Sequence, residues 1–189
     1  MPKLMTPYLT PKQSRTESWK SEKVRLRALE PSDASFFHNV RNQDHTHLPI
    51  SFEATRKWAE KTALESALND ESFWVIEDVK GIVVGSINTY DCKRFCGTFK
   101  YNVAIVKHQH RKGFAKEAIK LVCKYYFNEL RYQKVNAHSY SFNEASTQMH
   151  QKLGFAQEGR LRKMIYTEGQ YHDEIIWGLT DLEFKTCFQ

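Results

Sequence analysis

A basic loop around Gly113 carries the side chains best suited to bind an anion. The alternating apolar run Phe99–Val106 ends just before the loop, and a helical pattern begins just after it. The first amide groups of a helix have no partner within the helix, and the helix dipole adds partial positive charge there. Arg111, Lys112 and Lys116 add full charges, while Gly113 lets the backbone approach an oxyanion closely. The loop therefore predicts a phosphate ligand, and more specifically a diphosphate.

Residues 110–115 match neither the GxxxxGK(S/T) nucleotide loop nor the three-glycine dinucleotide fingerprint. They do resemble the acetyl-CoA loop of the GNAT family of N-acetyltransferases, written (Gln/Arg)-x-x-Gly-x-(Gly/Ala). Gly113 and Ala115 match this pattern, whereas His110 stands in place of Gln or Arg. Further similar segments follow in the family's order: AKEA at 115–118, NEAS at 143–146, KLGF at 152–155 and EGR at 158–160. The resemblance runs from about Val24 to the C terminus, and it is greatest to the branch that includes ribosomal-protein N-terminal acetyltransferases.

The resemblance implies an α+β fold with a single domain, in which helices flank a mixed, mostly antiparallel central sheet. It also implies that acetyl-CoA is the cosubstrate. In the family two strands splay apart, and the pantetheine arm lies in the gap along an open backbone edge, here Val103, Ala104 and Ile105. The residues that the resemblance assigns to the diphosphate are His110, Arg111, Lys112, Gly113, Phe114 and Ala115.

Three residues downstream of the loop are the candidates for the thioester end of the site. Asn143 is expected to bond to the pantetheine or the thioester region, and an asparagine there also suits a helix N-cap. His150 lies seven residues after Asn143, where many relatives carry the tyrosine that protonates the departing CoA thiolate. Ser146 lies three residues after Asn143, where the ribosomal-protein branch uses a serine, and it is also assigned to cofactor binding. The alternatives are a solvated surface histidine and a serine that caps the first helical turn.

The sequence identifies no firm general base for the acceptor amine. A lysine-type amine has a pKa near ~10.4 and an α-amine near ~7.7 to 8.0, so an α-amine needs less help at neutral pH. The strand before the loop has no carboxylate where some relatives carry a glutamate. Asp91, His172 and Asp173 are candidates, although each residue type is commoner in turns and at strand rims.

These features predict an N-acetyltransferase that moves an acetyl group directly to a primary amine in a ternary complex. The preferred acceptor is a protein or peptide N-terminus of the ribosomal-protein type. A small amine, such as a polyamine or an aminoglycoside-type compound, is the first alternative. A CoA-binding sensor without catalysis is the second, supported by the missing carboxylate. The resemblance also allows a homodimer.

Composition bounds these interpretations. The chain of 189 residues carries a net charge of +6, but its Lys and Arg residues are dispersed and no nucleic-acid motif is present, which disfavours a nucleic-acid partner. Cys92 and Cys96 are closely spaced without a second ligand pair, and His45 with His47 also stand alone, so no metal site is predicted. No apolar run approaches the ~20 residues of a membrane span, and no apolar signal core is seen, so we expect a cytoplasmic protein.

Residues 1–20 are predicted to be a flexible arm and residues 21–189 the acetyltransferase domain. Alternation predicts strands at 24–29, 72–77, 82–89, 98–106, 135–140, 155–166 and 171–182. Helices are predicted to begin at Pro31 and Ser51 and to span 113–130 and 143–153. Trp58 and Leu64 are expected in the core. The expected buried stripe of the central helix consists of Ala118, Ile119, Leu121, Val122 and Tyr125.

Overall fold

One seven-stranded sheet organises the chain, and the computed structural model describes residues 19–43, 49–65 and 70–188. The strands lie in the order β1-β2-β3-β4-β5-β7-β6, and every neighbouring pair is antiparallel except β4 and β5. Their bounds are β1 Val24–Ala28, β2 Phe73–Asp78, β3 Val83–Lys93, β4 Thr98–Ile105, β5 Lys134–Tyr140, β6 Ala156–Thr167 and β7 Gln170–Thr180. This is the mixed, mostly antiparallel sheet that the sequence predicts.

Helices cover the two faces of the sheet unequally. Their bounds are α1 Ala34–Gln43, α2 Phe52–Glu65, α3 Phe114–Asn128, α4 Glu144–Lys152 and α5 Asp181–Phe188. Helix α3 packs across strands β1 to β4 and carries the largest buried cluster. Helices α1 and α2 lie on the other face, where Ala34 and Ala59 pack with Val75 of β2. The rest of that second face, over β3, β4, β5 and β7, contributes residues to the cavity described below.

Strands β4 and β5 separate soon after they meet. Their parallel pairing runs through Thr98–Lys134, Phe99–Val135 and Lys100–Asn136 and goes no further. Beyond Lys100, strand β4 stays paired with β3 as far as Ile105, while β5 stays paired with β7 as far as Tyr140. Each strand is thus held on its outer side only. The result is the gap between splayed strands that the resemblance implied.

The buried stripe of α3 differs from the predicted one. Leu121 and Tyr125 are only partly buried, whereas Cys123, Tyr126 and Phe127 are buried together with the expected Ala118, Ile119 and Val122. Tyr126 takes the central place because its ring stacks on Phe99 at 4.2 Å and its hydroxyl lies 2.6 Å from Thr89 Oγ1. Tyr125 instead packs against Trp19 at 4.7 Å. Cys123 is a buried residue on the same face of α3.

Two further predictions were wrong, one about the core and one about the end of the last strand. Leu64 is 87% exposed, because it lies on the outer side of α2, while Trp58 does pack between Phe37 and Phe73. The last strand ends at Thr180 rather than Leu182, and the missed helix α5 follows. The sequence carried the signal for α5, because Thr180 and Glu183 form a reciprocal cap in which each backbone amide donates to the other side chain.

The described part of the chain begins inside the predicted arm. Trp19 packs against Trp74 at 5.1 Å, and its carbonyl accepts the amide of Leu26 at 2.8 Å, so Trp19 is part of the domain. The rest of the arm, residues 1–18, lies outside the described residues, as do His45 and His47 and the end of the helix predicted from Ser51. Across the described helices, none is long and apolar enough to cross a membrane.

Candidate active site

The gap between β4 and β5 opens into a cavity of about 390 Å³. Its walls come from both faces of the sheet, because side chains alternate along each strand. Tyr101 is paired in register with Thr89 and faces α3, as Phe99 does. Asn102 and His138 point to the opposite face, and both line the same cavity. The cavity therefore connects the α3 side of the sheet with the side that α1 and α2 leave uncovered.

The basic loop lies at the end of β4 and has an unusual backbone. Arg111 and Gly113 both adopt left-handed conformations, with φ of 63° and 85°. The first intrahelical bond of α3 is donated by the amide of Glu117 to the carbonyl of Gly113, 3.1 Å away. Within the described chain, the amides of residues 111–116 donate to no other protein group. A run of free amides beside basic side chains forms a concave donor surface for an oxyanion.

His110, the departure from the family motif, holds this loop to the sheet. Its Nε2 donates to the carbonyl oxygen of Ile105 at 2.7 Å. The open edge expected along residues 103–105 is therefore partly used by the protein itself, because the Ile105 carbonyl already has a partner. Lys23 adds a cation that the sequence did not single out, with its Nζ 3.4 Å from the carbonyl oxygen of Lys112.

Asn143 caps helix α4 and also lines the cavity. Its Oδ1 accepts the backbone amide of Ser146 at 3.0 Å, so the structural role considered for Asn143 is present. Helix α4 then directs the Ser146 and His150 side chains towards the gap, as expected for residues one turn apart. Both candidate residues line the cavity together with Val103 of the β4 edge.

His150 is only 2% exposed, so the alternative of a solvated surface histidine is wrong. The ring stacks on Trp177 at 5.5 Å, because α4 packs against the α3-side face of β7. Its Nδ1 donates to the Ser146 carbonyl at 2.8 Å, which fixes the tautomer, since a carbonyl can only accept. Nε2 then accepts the Tyr101 hydroxyl at 2.8 Å. Burial lowers the pKa of His150, so the ring is neutral near pH 7.

The occupied nitrogens of His150 limit what this residue can do directly. Neither nitrogen has a hydrogen left to offer a group in the cavity while these bonds are made. Ser146 Oγ lies 3.4 Å from the Nδ1 atom of His150. Because Nδ1 carries a hydrogen, Oγ can only accept from it, and the hydroxyl hydrogen of Ser146 is free to point into the cavity. Burial raises the pKa of Tyr101 well above its usual value, so this phenol stays neutral.

The face opposite α3 brings a second polar group to the cavity. His138 of β5 and Glu174 of β7 both line it, and their Nδ1 and Oε1 atoms are 3.3 Å apart. Tyr90 of β3 and Asn102 of β4 complete this wall. Burial raises the pKa of the Tyr90 hydroxyl, and the nearby Glu174 carboxylate adds to that rise. This arrangement presents hydrogen-bonding groups and one carboxylate to a ligand that enters from the open face.

Residues 23–156 match the family described as "Acetyltransferase (GNAT) domain". The chain belongs to this GNAT family. It is 42% identical over 172 residues to the SPbeta prophage-derived uncharacterized N-acetyltransferase YokL of Bacillus subtilis (strain 168), covering 88% of this chain and 95% of that protein. It is 23% identical to the putative ribosomal N-acetyltransferase YdaF of the same strain, over 87% of this chain and 95% of that protein.

The fold is also shared with solved acetyltransferases. The crystal structure of spermidine N-acetyltransferase from Vibrio cholerae in complex with CoA and spermine superposes with a TM-score of 0.76. The match covers 87% of this chain and 99% of that one, at 23% identity. Together with the family match, these findings show that the protein is an N-acetyltransferase of the GNAT type that uses acetyl-CoA. The ribosomal-protein branch is supported only by the more distant relative.

The three base candidates from the sequence of this GNAT enzyme do not line the cavity. Asp91 lies 3.1 Å from Lys100 Nζ and 3.4 Å from Lys93 Nζ, and the bond from Lys100 is the main cause that lowers its pKa. Asp173 accepts from Arg160 at 2.6 Å. His172 packs edge-on against Phe142 at 4.8 Å. Each is therefore engaged in local contacts at the rim.

Sequence reasoning missed Tyr101, His138 and Glu174 as cavity residues. Tyr101 could have been found, because it alternates with Phe99 on the buried face of a recognised strand. His138 lies in a predicted strand, but nothing in the sequence shows that its outward face borders a gap. Glu174 lies next to Asp173, and only the pairing of Tyr140 with Glu174 sets which of the two carboxylates faces the cavity.

Metal binding was not predicted, and within residues 19–43, 49–65 and 70–188 no group of three or more His, Cys, Asp or Glu side chains could hold an ion. Cys92 has its own neighbours, with Sγ 3.6 Å from the Asp70 carbonyl oxygen, and burial raises the pKa of this thiol to about 11. Such a thiol is a poor metal ligand and a poor nucleophile near neutral pH.

Proposed function

We propose that this GNAT enzyme transfers the acetyl group of acetyl-CoA to a small primary amine by direct attack within a ternary complex. The observation that carries the proposal is the cavity between β4 and β5, which joins the α3 side of the sheet to a polar wall on the opposite face. A donor bound along one side and an acceptor entering from the other would meet at the gap. Such positioning is itself a large part of catalysis in a two-substrate reaction.

The cofactor is proposed to lie along the loop and the β4 edge. The free amides of residues 111–115 would hold the diphosphate, helped by the charges of Arg111 and Lys112. Val103 and Ala104 would bond to the pantetheine arm in the manner of an added strand. His110 would act by holding the loop to Ile105 rather than by touching a phosphate through its ring. Asn143 would contribute to the thioester end while it caps α4.

Ser146 is the proposed hydrogen-bond donor to the departing thiolate. Its hydroxyl lines the cavity and has a free hydrogen, whereas both nitrogens of His150 are engaged. His150 is proposed to be a positioning residue that fixes the first turn of α4 and the Tyr101 hydroxyl. The two candidates that the sequence left open therefore have different proposed roles: Ser146 donates to the sulfur, and His150 positions the groups around it.

The acceptor proposed is a small amine rather than the protein N-terminus preferred from the sequence alone. The likeness to a spermidine N-acetyltransferase supports this class, and the cavity of about 390 Å³ suits a small head group. Among the described residues that line the cavity, Glu174 is the single carboxylate, which suits one ammonium group at the reacting end. The relative described as a putative ribosomal N-acetyltransferase keeps a peptide N-terminus as the second candidate.

An assay for thiol release from acetyl-CoA over a panel of amines tests the proposal. The panel should contain simple monoamines, di- and polyamines, an aminoglycoside and peptides with free N-termini. We expect thiol release with at least one small amine and its acetylated product by mass spectrometry. Acetylation of peptides alone would replace the small amine with the second candidate. Tight acetyl-CoA binding by calorimetry without any acetylated product would instead establish the CoA-binding sensor.

A further inference from the structure

The cavity contains a histidine–carboxylate pair, His138 and Glu174, and the histidine of this pair has no role in the proposed function. His138 and Glu174 lie on adjacent strands, β5 and β7, and project from the face opposite α3. In the register of the two strands, His138 pairs with Ile176 and lies two residues before Tyr140, which pairs with Glu174. Side chains so related lie diagonally on the same face of a sheet, within reach of long side chains.

The position of Glu174 beside His138 favours one tautomer of the imidazole. The Nδ1 atom of His138 is 3.3 Å from Oε1 of Glu174, and the two side chains are 26% and 19% exposed. A carboxylate facing Nδ1 favours the tautomer that carries its hydrogen on Nδ1. Nε2 then holds a lone pair, and no described group of the protein donates a hydrogen bond to it. The ring therefore offers one free basic nitrogen to the cavity.

His150, the other histidine of the cavity, is engaged quite differently. Its Nδ1 donates to the Ser146 carbonyl and its Nε2 accepts from Tyr101, so it has no free lone pair. It is also 2% exposed, whereas His138 is reachable from the open face. Of the two imidazoles that line the cavity, only His138 combines access with an unused basic nitrogen.

The charges around the pair favour a cationic ligand. No lysine or arginine is among the described residues that line the cavity, and Glu174 is their single carboxylate. Lys100, whose charge acts on the Tyr90 hydroxyl of this wall, lies 3.1 Å from the Asp91 carboxylate. Besides Glu174, the titratable groups that line the cavity with His138 are Tyr90, Tyr101, Tyr140 and His150. Asp91 and Lys100 lie close enough to Tyr90 to act on its hydroxyl.

We propose that His138 is the general base that takes a proton from the ammonium form of the acceptor, and that Glu174 is its positioning residue. This inference rests on the proposed function of the cavity. The ammonium group donates an N–H to Nε2, and the proton moves to that nitrogen, which leaves a neutral amine and an imidazolium. Glu174 stabilises the imidazolium through the Nδ1 hydrogen, and its negative charge draws the cation to the gap.

The proton balance closes with the groups already named. The freed amine attacks the thioester carbonyl, the new C–N bond forms and the C–S bond breaks. The nitrogen then loses a second proton and the thiolate gains one, with Ser146 donating a hydrogen bond to the sulfur. The net reaction converts an ammonium ion and acetyl-CoA into an acetamide, free CoA and one proton, which His138 releases to solvent from the open face. No further reactant is needed.

The test compares three variants of the full chain: His138→Gln, Glu174→Gln and His172→Gln. His172 is a matched control because it is a histidine near the same face that lies outside the cavity. Calorimetry with acetyl-CoA is carried out first on each variant and is expected to match the wild type. Rates of thiol release are then measured from about pH 5.5 to about pH 9 with two acceptors that differ in amine pKa.

We expect His138→Gln to lower kcat by on the order of 10²-fold and to leave an acid limb that moves with the pKa of the acceptor amine. Glu174→Gln should lower kcat by less than His138→Gln does and leave the KM for acetyl-CoA unchanged, because only the imidazolium loses its neighbouring carboxylate. In the wild type, the limb due to His138 should stay in place when the acceptor is changed, whereas a limb due to the amine would move. His172→Gln should behave as the wild type.

Each outcome decides the inference. A wild-type rate and acid limb in His138→Gln would overturn it while leaving the proposed function intact, as would a loss of activity confined to His172→Gln. A Glu174→Gln variant with the wild-type kcat would remove the positioning role and leave His138 as the base. If wild-type protein binds acetyl-CoA but acetylates no amine, both this inference and the proposed function are wrong.

Discussion

The two faces of the sheet at the β4–β5 gap differ in how firmly their side chains are held. On the α3 face, Tyr101 and His150 are 4% and 2% exposed and are bonded to each other. On the opposite face Tyr140 is 38% exposed, and one nitrogen of His138 has no partner among the described residues. The first wall is part of the hydrophobic core, and the second is a polar surface that borders it.

This difference matches the two substrates of a transfer reaction. The proposed cofactor side is firmly held, since no buried side-chain nitrogen or oxygen in the described part of the chain lacks a hydrogen-bond partner and His110 bonds the loop to Ile105 of β4. The proposed acceptor side leaves groups unpaired for a ligand to use. A rigid donor site and an open acceptor site would allow relatives to change the acceptor without disturbing the core. Mutations on the two sides should therefore have different effects.

The largest effect is expected from Gly113→Val at the loop. Gly113 has φ of 85°, which a β-branched residue adopts poorly, and an added Cβ would lie 3.4 Å from Lys23 Nζ beside the loop. Backbone strain of ~1–2 kcal/mol lowers the stability of the variant, whereas one lost charge-assisted hydrogen bond, worth roughly 1.5–3 kcal/mol, amounts to about a 10-fold to 10²-fold loss of acetyl-CoA affinity. Calorimetry measures the affinity of the variant for acetyl-CoA.

A matched control for that variant is Gly81→Val. Gly81 has φ of 78° with nothing within 4 Å of an added Cβ, so it carries the same backbone strain in a hairpin turn. We expect Gly81→Val to lose a similar amount of stability but to bind acetyl-CoA normally. Equal affinities for the two valine variants would remove the loop from the cofactor site.

Tyr101→Phe compared with Tyr90→Phe tests the contrast between the walls directly. Removing the Tyr101 hydroxyl leaves the buried Nε2 of His150 without a donor, which should lower the free energy of unfolding by ~1–3 kcal/mol. Tyr90 lies on the acceptor face, and its loss of a hydroxyl should change stability by less than ~0.5 kcal/mol. Urea unfolding gives both values. Equal losses would mean that the two walls are equally fixed.

Ser146→Ala should lower kcat by roughly 10-fold, the equivalent of one hydrogen bond made in the transition state, with KM for acetyl-CoA little changed. Thr147→Ala is the control, since it removes the neighbouring hydroxyl of α4 that does not line the cavity. Steady-state kinetics distinguish them. A normal kcat in Ser146→Ala together with a low kcat in a folded His150→Gln would return the donor role to His150.

The smallest effect concerns pH. Burial lowers the pKa of His150 below its unfolded value of 6.5, so the unfolded chain binds more protons as pH falls. The stability from keeping this ring neutral is present above about pH 6.5 and is lost as pH falls towards the folded pKa. The difference in unfolding free energy between about pH 7 and about pH 5 should be smaller in His150→Gln than in the wild type. An unchanged difference in His150→Gln would contradict the buried, neutral histidine.

The sequence determined the family, the order of the strands along the chain and the phosphate-type loop, because each depends on local signals. Gly113, Ala115 and the alternating run before them lie within one short stretch. The capping residues Asn143 and Thr180 are local as well, although the second was overlooked. Periodicity was less decisive for α3, where Tyr125 and Tyr126 both fit an apolar face and only packing on Phe99 selected Tyr126.

The tertiary structure alone decided the chemistry around the gap. His150 sits on a helix with a polar sequence and is buried only because Trp177 and Tyr101, from distant strands, close over it. His138 and Glu174 meet because β5 and β7 pair in one register, and a slip of one residue would turn Asp173 to that face instead. Burial and strand register are properties of the assembled sheet, so they set which histidine is fixed and which is free, and no local pattern in the chain records them.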